Sequence, residues 1–136
     1  IAYTMPAMAG SEWPLDVLRE LSAAGVVSGV KESADGVGRF LQILAACPRP
    51  FAAFCGTPPL LIPAVLAGGH GGILAIANAV PERCVAVYES ALCAIRDTPE
   101  VVRRFPRARD LTRARCERAR LLGERWRREF VSAHRR

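Results

Sequence analysis

The chain has 136 residues, 51% of them apolar and 24% charged, a balance that suits one folded domain and argues against a disordered chain. The net charge of +6 averages two unlike regions: residues 1–95 carry five basic and seven acidic side chains, residues 96–136 fourteen basic and six acidic. No apolar run approaches the ~20 residues of a membrane-spanning helix, because Gly and Pro interrupt stretches such as 60–67 and 73–77.

The opening Ile-Ala-Tyr-Thr-Met-Pro reads as the inside of a strand, so the chain is expected to begin within a larger protein. Residues 1–5 form the first β-rich run, followed by a helical stretch at about 14–24, where Leu15, Leu18 and Leu21 make one apolar face. Pro14 suits the helix's first turn and Gly25 falls just past its end. The second strand is expected at 26–31 and its helix at 36–46, with Phe40, Leu41 and Leu44 inward. A third strand at 51–55 precedes a helix at 58–67, closed by Gly68. A fourth strand at 72–76 precedes a helix at 82–95, begun by Pro81.

Strands that alternate with helices are parallel, and their unbroken apolar character predicts burial on both faces. Four such units fit half of a (β/α)8 barrel or a small open sheet, and periodicity leaves both open. From residue 97 onward Arg and Ala dominate, and Ala108, Leu111, Ala119, Leu122, Trp126 and Phe130 share one helix face. That pattern predicts a packed amphipathic helix. Interleaved acids and sparse aromatics argue against a nucleic-acid arm. Five cysteines without CxxC spacing give neither a disulfide framework nor a metal site and fit a reducing cytoplasm.

Lys31 is the sole lysine of the chain and stands at the C-terminal end of the second strand. That end is where parallel α/β sheets place their chemistry. Apolar neighbours there disfavour a charged amine, and a neutral amine attacks a ketone to form a Schiff base. Arg could not do this, since it does not lose its proton. The same position equally suits an ordinary surface lysine. Tyr3, near the end of the first strand, is either a core or rim tyrosine or a proton relay. His70, within Gly68-Gly69-His70-Gly71-Gly72, reads as a turn residue, and Asn78 as a loop-stabilising amide or a carboxylate ligand.

Four segments now add up to a resemblance. Tyr3-Thr4-Met5-Pro6-Ala7-Met8-Ala9-Gly10 resembles Tyr-x-x-Pro-x-x-Thr-Gly, and Gly29-Val30-Lys31-Glu32-Ser33 resembles Gly-hydrophobic-Lys-Glu/Asp-Ser/Ala. Cys55-Gly56 resembles a Ser/Ala-Gly strand end. GGHGGILAIANAVPE, from Gly68 to Glu82, resembles Gly-x-x-Gly-hydrophobic-Ile-x-x-x-Ala-Asn-x-x-Pro-Glu. All four belong to the dihydrodipicolinate synthase/N-acetylneuraminate lyase family.

The resemblance implies an α/β fold, the C-terminal half of a (β/α)8 barrel over residues 1–96, with an Arg-rich helical extension at 97–136. It implies a cofactor-free, metal-free lyase acting on pyruvate or another 2-oxo acid and an aldehyde, and a homo-oligomer in the complete protein. By position Lys31 is the imine-forming lysine and Tyr3 the proton relay, while Gly56, Ile73 and Asn78 wall the substrate site. Ala9 stands in place of the family's Thr, and Met8 in place of the Arg that dihydrodipicolinate synthases use for their second substrate's carboxylate. That departure points to a different electrophile. The Gly-Glu and Thr-Thr segments of strands one to four would precede residue 1. The competing expectation is a non-catalytic half-barrel, or a binding module acting through self-association or its basic tail.

Overall fold

The computed structural model describes residues 1–98 apart from 35, 48 and 49, together with residue 103. Beyond Thr98, the expected Arg-rich helix and Cys116 lie outside the described residues, Arg103 excepted. Four strands, β1 (Ala2–Thr4), β2 (Gly29–Glu32), β3 (Ala52–Cys55) and β4 (Gly71–Gly72), form one all-parallel sheet in the order β1-β2-β3-β4. Each strand leads through helical structure to its immediate neighbour, so the sheet has no point at which strand order reverses.

The helices are α1 (Pro6–Ala9), α2 (Leu15–Ala23), α3 (Val37–Ala46), α4 (Leu61–Leu66) and α5 (Pro81–Asp97). Leu18 of α2, Phe40, Ile43 and Leu44 of α3, Leu61, Ala64 and Val65 of α4, and Ala91, Leu92 and Ile95 of α5 meet Val30, Ala53 and Cys55 of the sheet in one buried cluster. Burying a side chain the size of Phe40 stabilises the fold by roughly 1.5–3 kcal/mol. Ile43 takes the inward place expected of Leu41, which is 38% exposed. The apolar stripe of α3 is thus turned slightly from the one anticipated.

Three element boundaries differ from the sequence expectation for identifiable reasons. Strand β2 begins at Gly29 rather than at 26, because Val26 and Val27 donate their amides to Leu21 O at 3.0 and 3.2 Å. Gly25, at φ +71°, makes that reversal, and the two valines cap α2 instead of extending the sheet. Strand β4 ends at Gly72. The apolar run behind it coils into a 3-10 turn, Ala75–Asn78, closed by the amides of Ala77 and Ala79 on Leu74 O and Ile76 O. A short apolar run reads alike in either state. Helix α1 was not anticipated. Residues 58–60 are a 3-10 turn leading into α4.

The expectation of two buried faces is half right. Ala2, Thr4, Val30, Glu32, Ala53 and Cys55 alternate onto the helix-covered face and are buried. Tyr3 on the other face is 49% exposed, and Lys31 and Phe54 beside it are half-buried. The described helices cover one side of the sheet only.

Candidate functional site

The strand register builds the site. Tyr3 pairs with Lys31, Lys31 with Phe54, and Phe54 with Gly71, a single row across the open face. One residue pair further along lies a second row of the same parity, formed by Met5, Ser33, Gly56 and Ile73. Its backbone is tied by Ser33 N–H to Thr4 O, Gly56 N–H to Glu32 O and Ile73 N–H to Cys55 O, at 2.9, 2.6 and 2.9 Å. These rows stand at the C-terminal ends of the strands, where loops of varied chemistry converge.

Lys31 Nζ lies 4.1 Å from the centroid of the Tyr3 ring, over its face. Such a contact attracts a cation by roughly 0.5–1 kcal/mol at an exposed site. The immediate neighbour of the amine is therefore an aromatic face. The Tyr3 hydroxyl donates to Met5 Sδ at 2.8 Å. Lys31 holds the phenol's pKa below its ordinary value of 10, with help from the nearby Ser33 hydroxyl, and the slight burial that opposes them is the weaker effect. The phenol and the amine are thus neighbours, and Lys31 favours the phenolate.

Gly56 explains how Lys31 and Ser33 fit in this space. A Cβ at position 56 would overlap Ser33 Oγ, come within 2.8 Å of Ser33 Cβ and stand 3.0 Å from Lys31 Cε. The missing side chain leaves the gap into which both neighbours reach. Ser33 is 9% exposed and its hydroxyl makes no hydrogen bond. Thr4 Oγ1 and Thr57 Oγ1, at the ends of β1 and β3, are likewise buried and unpartnered. Buried hydroxyls without partners are uncommon, and these three lie near the C-terminal ends of their strands, Ser33 on the open face and Thr4 on the covered one.

The structure therefore brings Lys31, Tyr3 and Gly56 together. Ile73 is level with Gly56 but 42% exposed. Asn78 is exposed and donates from Nδ2 to Ala75 O at 3.1 Å, which holds the 3-10 turn. His70 accepts the Ala53 amide at Nδ1, 3.3 Å away, and its ring packs against Phe54 with centroids 6.1 Å apart. Ser33 and Phe54 were given no role from sequence. The alternation of strand residues names both once the register is known.

Cys55, the buried neighbour of Gly56, has its thiol pushed up to about 11 by burial, so it packs as a small apolar group and is no nucleophile at neutral pH. Among the described residues, Cys55, Cys84 and Cys93 are free thiols. An apolar cavity of about 400 Å³ opens at the β4 edge between Phe54, His70, Leu74, Cys84 and Tyr88, but neither Lys31 nor Tyr3 lines it. Among the described residues no helix is long and apolar enough to cross a membrane.

Known proteins place this arrangement in a family. The profile described as the Dihydrodipicolinate synthetase family matches residues 1–100. A 4-hydroxy-tetrahydrodipicolinate synthase of Ralstonia nicotianae is 31% identical over 77% of this chain and 35% of its own length. One from Methanosarcina barkeri is 31% identical over 72% of this chain and 34% of its own. A protein of Thermofilum pendens named an uncharacterized DapA-like lyase is 33% identical over 66% and 31%. The matched region spans about a third of the length of these curated relatives. A family profile over most of the chain and these relatives agree with the lysine motif and the parallel sheet, and the chain belongs to the dihydrodipicolinate synthetase family.

Proposed function

We propose that this chain is the C-terminal half of a (β/α)8 barrel, strands five to eight over residues 1–96, of a cytoplasmic lyase that joins or cleaves a C–C bond next to a 2-oxo acid such as pyruvate. The observation that carries the reading is the amine of Lys31 seated over the Tyr3 ring, in the gap left by Gly56, on the open face at the strands' C-terminal ends. In this reading that open face is the barrel's interior, and residues 97–136 pack as a helical extension rather than bind nucleic acid. The complete protein is a homo-oligomer.

The chemistry follows from the neighbours. As the phenolate, which Lys31 favours, Tyr3 accepts a proton from the ammonium and frees the amine. Nζ then adds to the ketone carbon of the 2-oxo acid. The phenol returns its proton to the departing oxygen, and water leaves. The resulting protonated imine draws electrons from the adjacent carbon. Loss of that carbon's proton to the Tyr3 phenolate gives an enamine that adds to an aldehyde, the phenol protonates the new alkoxide, and water hydrolyses the imine to free the product and the amine; the reverse sequence cleaves the same bond. Ser33 supplies a hydroxyl, and Gly56, Ile73 and Asn78 wall the substrate. Met8 in place of an arginine favours an electrophile other than that of dihydrodipicolinate synthases. The relatives' names support a lyase and leave the aldehyde open.

Borohydride reduction in the presence of pyruvate, followed by peptide mass spectrometry on the natural full-length polypeptide, tests this. The expected adduct lies on the Lys31 peptide. Trapping undiminished in Lys31→Arg would refute it.

A further inference from the structure

The residue after Lys31 leaves the sheet on the opposite side. Glu32 has a side chain 1% exposed. Its Oε1 accepts the Ala34 amide at 2.8 Å, which shapes the turn carrying Ser33. Its Oε2 makes no hydrogen bond and lies 3.7 Å from Arg39 Nε. Burial raises the carboxyl above its ordinary range, outweighing the Ala34 amide and the Arg39 charge. A buried carboxylate so incompletely satisfied is weak support for stability. Its place beside Lys31 calls for another role.

Arg39, in the first turn of α3, has a side chain 14% exposed. The same Nε lies 3.4 Å from Glu12 Oε2, and Nη2 donates to Trp13 O. Trp13 in turn donates Nε1–H to Tyr3 O at 3.3 Å. One guanidinium therefore joins the segment that follows β1 to the turn that follows β2. Through Trp13 it reaches the backbone of Tyr3, and through Glu32 the residue bonded to Lys31.

We propose that Arg39, with Glu32 as its buried counter-charge, is a positioning residue that fixes Tyr3 and Lys31 relative to each other. The proposal rests on the reading of Lys31 as the imine-forming amine. Arg39 acts through Trp13 and Glu32 and is not itself a catalytic residue. Its planar fork is what the geometry uses, since one edge faces two carboxylates while Nη2 reaches a carbonyl.

The test measures the rate of imine formation with pyruvate by timed borohydride quench in the natural full-length polypeptide, with Arg39→Gln, Arg39→Lys and Glu32→Gln. A misplacement of about 1 Å costs up to ~100-fold in rate. Arg39→Gln is accordingly expected to slow trapping about tenfold or more, with the half-saturating pyruvate concentration little changed. Arg39→Lys keeps the charge without the fork and should recover only part of the loss. The indole N–H resonance of Trp13, identified by its disappearance in Trp13→Phe, should shift in Arg39→Gln.

If Arg39→Gln does not fold, the double variant Glu32→Gln/Arg39→Gln, which removes both charges, takes its place with the same readouts. A folded variant that traps pyruvate at the wild-type rate would overturn the proposal, as would full recovery by Arg39→Lys. Wild-type protein that traps no pyruvate would refute the imine reading instead. The Trp13 resonance would then still decide whether Arg39 holds the segment.

Discussion

The two faces of the sheet share one backbone and divide the work. On the covered face, Ala2, Val30, Ala53 and Cys55 press against four helices, with the polar Thr4 and Glu32 buried beside them. On the open face, the same strands present Tyr3, Lys31 and Phe54, then Ser33, the gap at Gly56 and Ile73. Adjacent residues, one step apart in sequence, thus answer to different demands: Val30 and Glu32 to packing and an ion pair, Lys31, in the proposed reading, to reactivity. A two-residue period lets one short strand serve both. Substitutions at Lys31 and Tyr3 on the open face should change chemistry and leave folding alone, and those in the apolar core of the covered face the reverse.

The sharpest break of that comparison is Lys31→Arg. Trapping and turnover in the full-length polypeptide should fall to background, because a guanidinium forms no imine under these conditions. Thermal unfolding should shift by no more than a surface substitution does, about 0.5 kcal/mol. Next, Tyr3→Phe keeps the ring under the ammonium and removes the proton relay, so kcat should drop about 10²–10⁴-fold. Where the protonated phenol is needed, the wild-type rate should decline as pH rises through a pKa below 10, since Lys31 and Ser33 favour the phenolate. That limb should vanish in Tyr3→Phe. A limb that persists in the variant assigns it to another group.

On the covered face, Phe40→Ala should destabilise by about 3–5 kcal/mol in chemical denaturation while Lys31 in the folded fraction still traps pyruvate. Gly56→Ala sits between the two faces in effect. Its methyl collides with Ser33 and crowds Lys31 Cε, so trapping should slow, with an overpacking cost of about 1–3 kcal/mol. The smallest effect belongs to Glu32→Gln. Burial raises the folded-state pKa of Glu32 above the ordinary 4.5, so the stability Glu32 contributes is present at low pH and declines as pH climbs from about 4.5 through the raised value. The variant should gain on wild type across that window, by denaturation at stepped pH. A difference independent of pH would show that the carboxyl does not ionise there.

Much of this was legible in the residues. The alternation of strand and helix, the parallel pairing and the position of Lys31 at a strand end follow from periodicity, Pro and Gly punctuation and a lone lysine. The boundaries that shifted did so where backbone hydrogen bonds, invisible in a hydropathy pattern, claimed the same residues. Val26 and Val27 look like a strand and act as a helix cap. Residues 73–76 look like the rest of a strand, yet 75 and 76 coil into a 3-10 turn on their own carbonyls. The ring beneath Lys31 depends on register, which pairs Tyr3 with Lys31 across 28 positions of sequence. The reach of Arg39 from α3 to Trp13 is equally non-local. Motif spacing could name Lys31 and Tyr3 as separate candidates, but only pairing makes them neighbours.

The serial order of the sheet has a kinetic consequence. Each strand bonds to the next in the chain, and the helix contacts follow the same sequence, α2 with α3, α3 with α4, α4 with α5. Most loops that must close are therefore one βα unit long, which favours rapid assembly over the slow search that distant strand pairing demands. A nucleus formed anywhere along the row can grow in either direction, as in repeat architectures. Amide hydrogen exchange should reveal this as a gradient. In the 136-residue segment on its own, protection should be greatest in β2 and β3, each flanked by a strand on both sides, and fall toward β1 and β4, so that the strand bearing Lys31 is among the last to open.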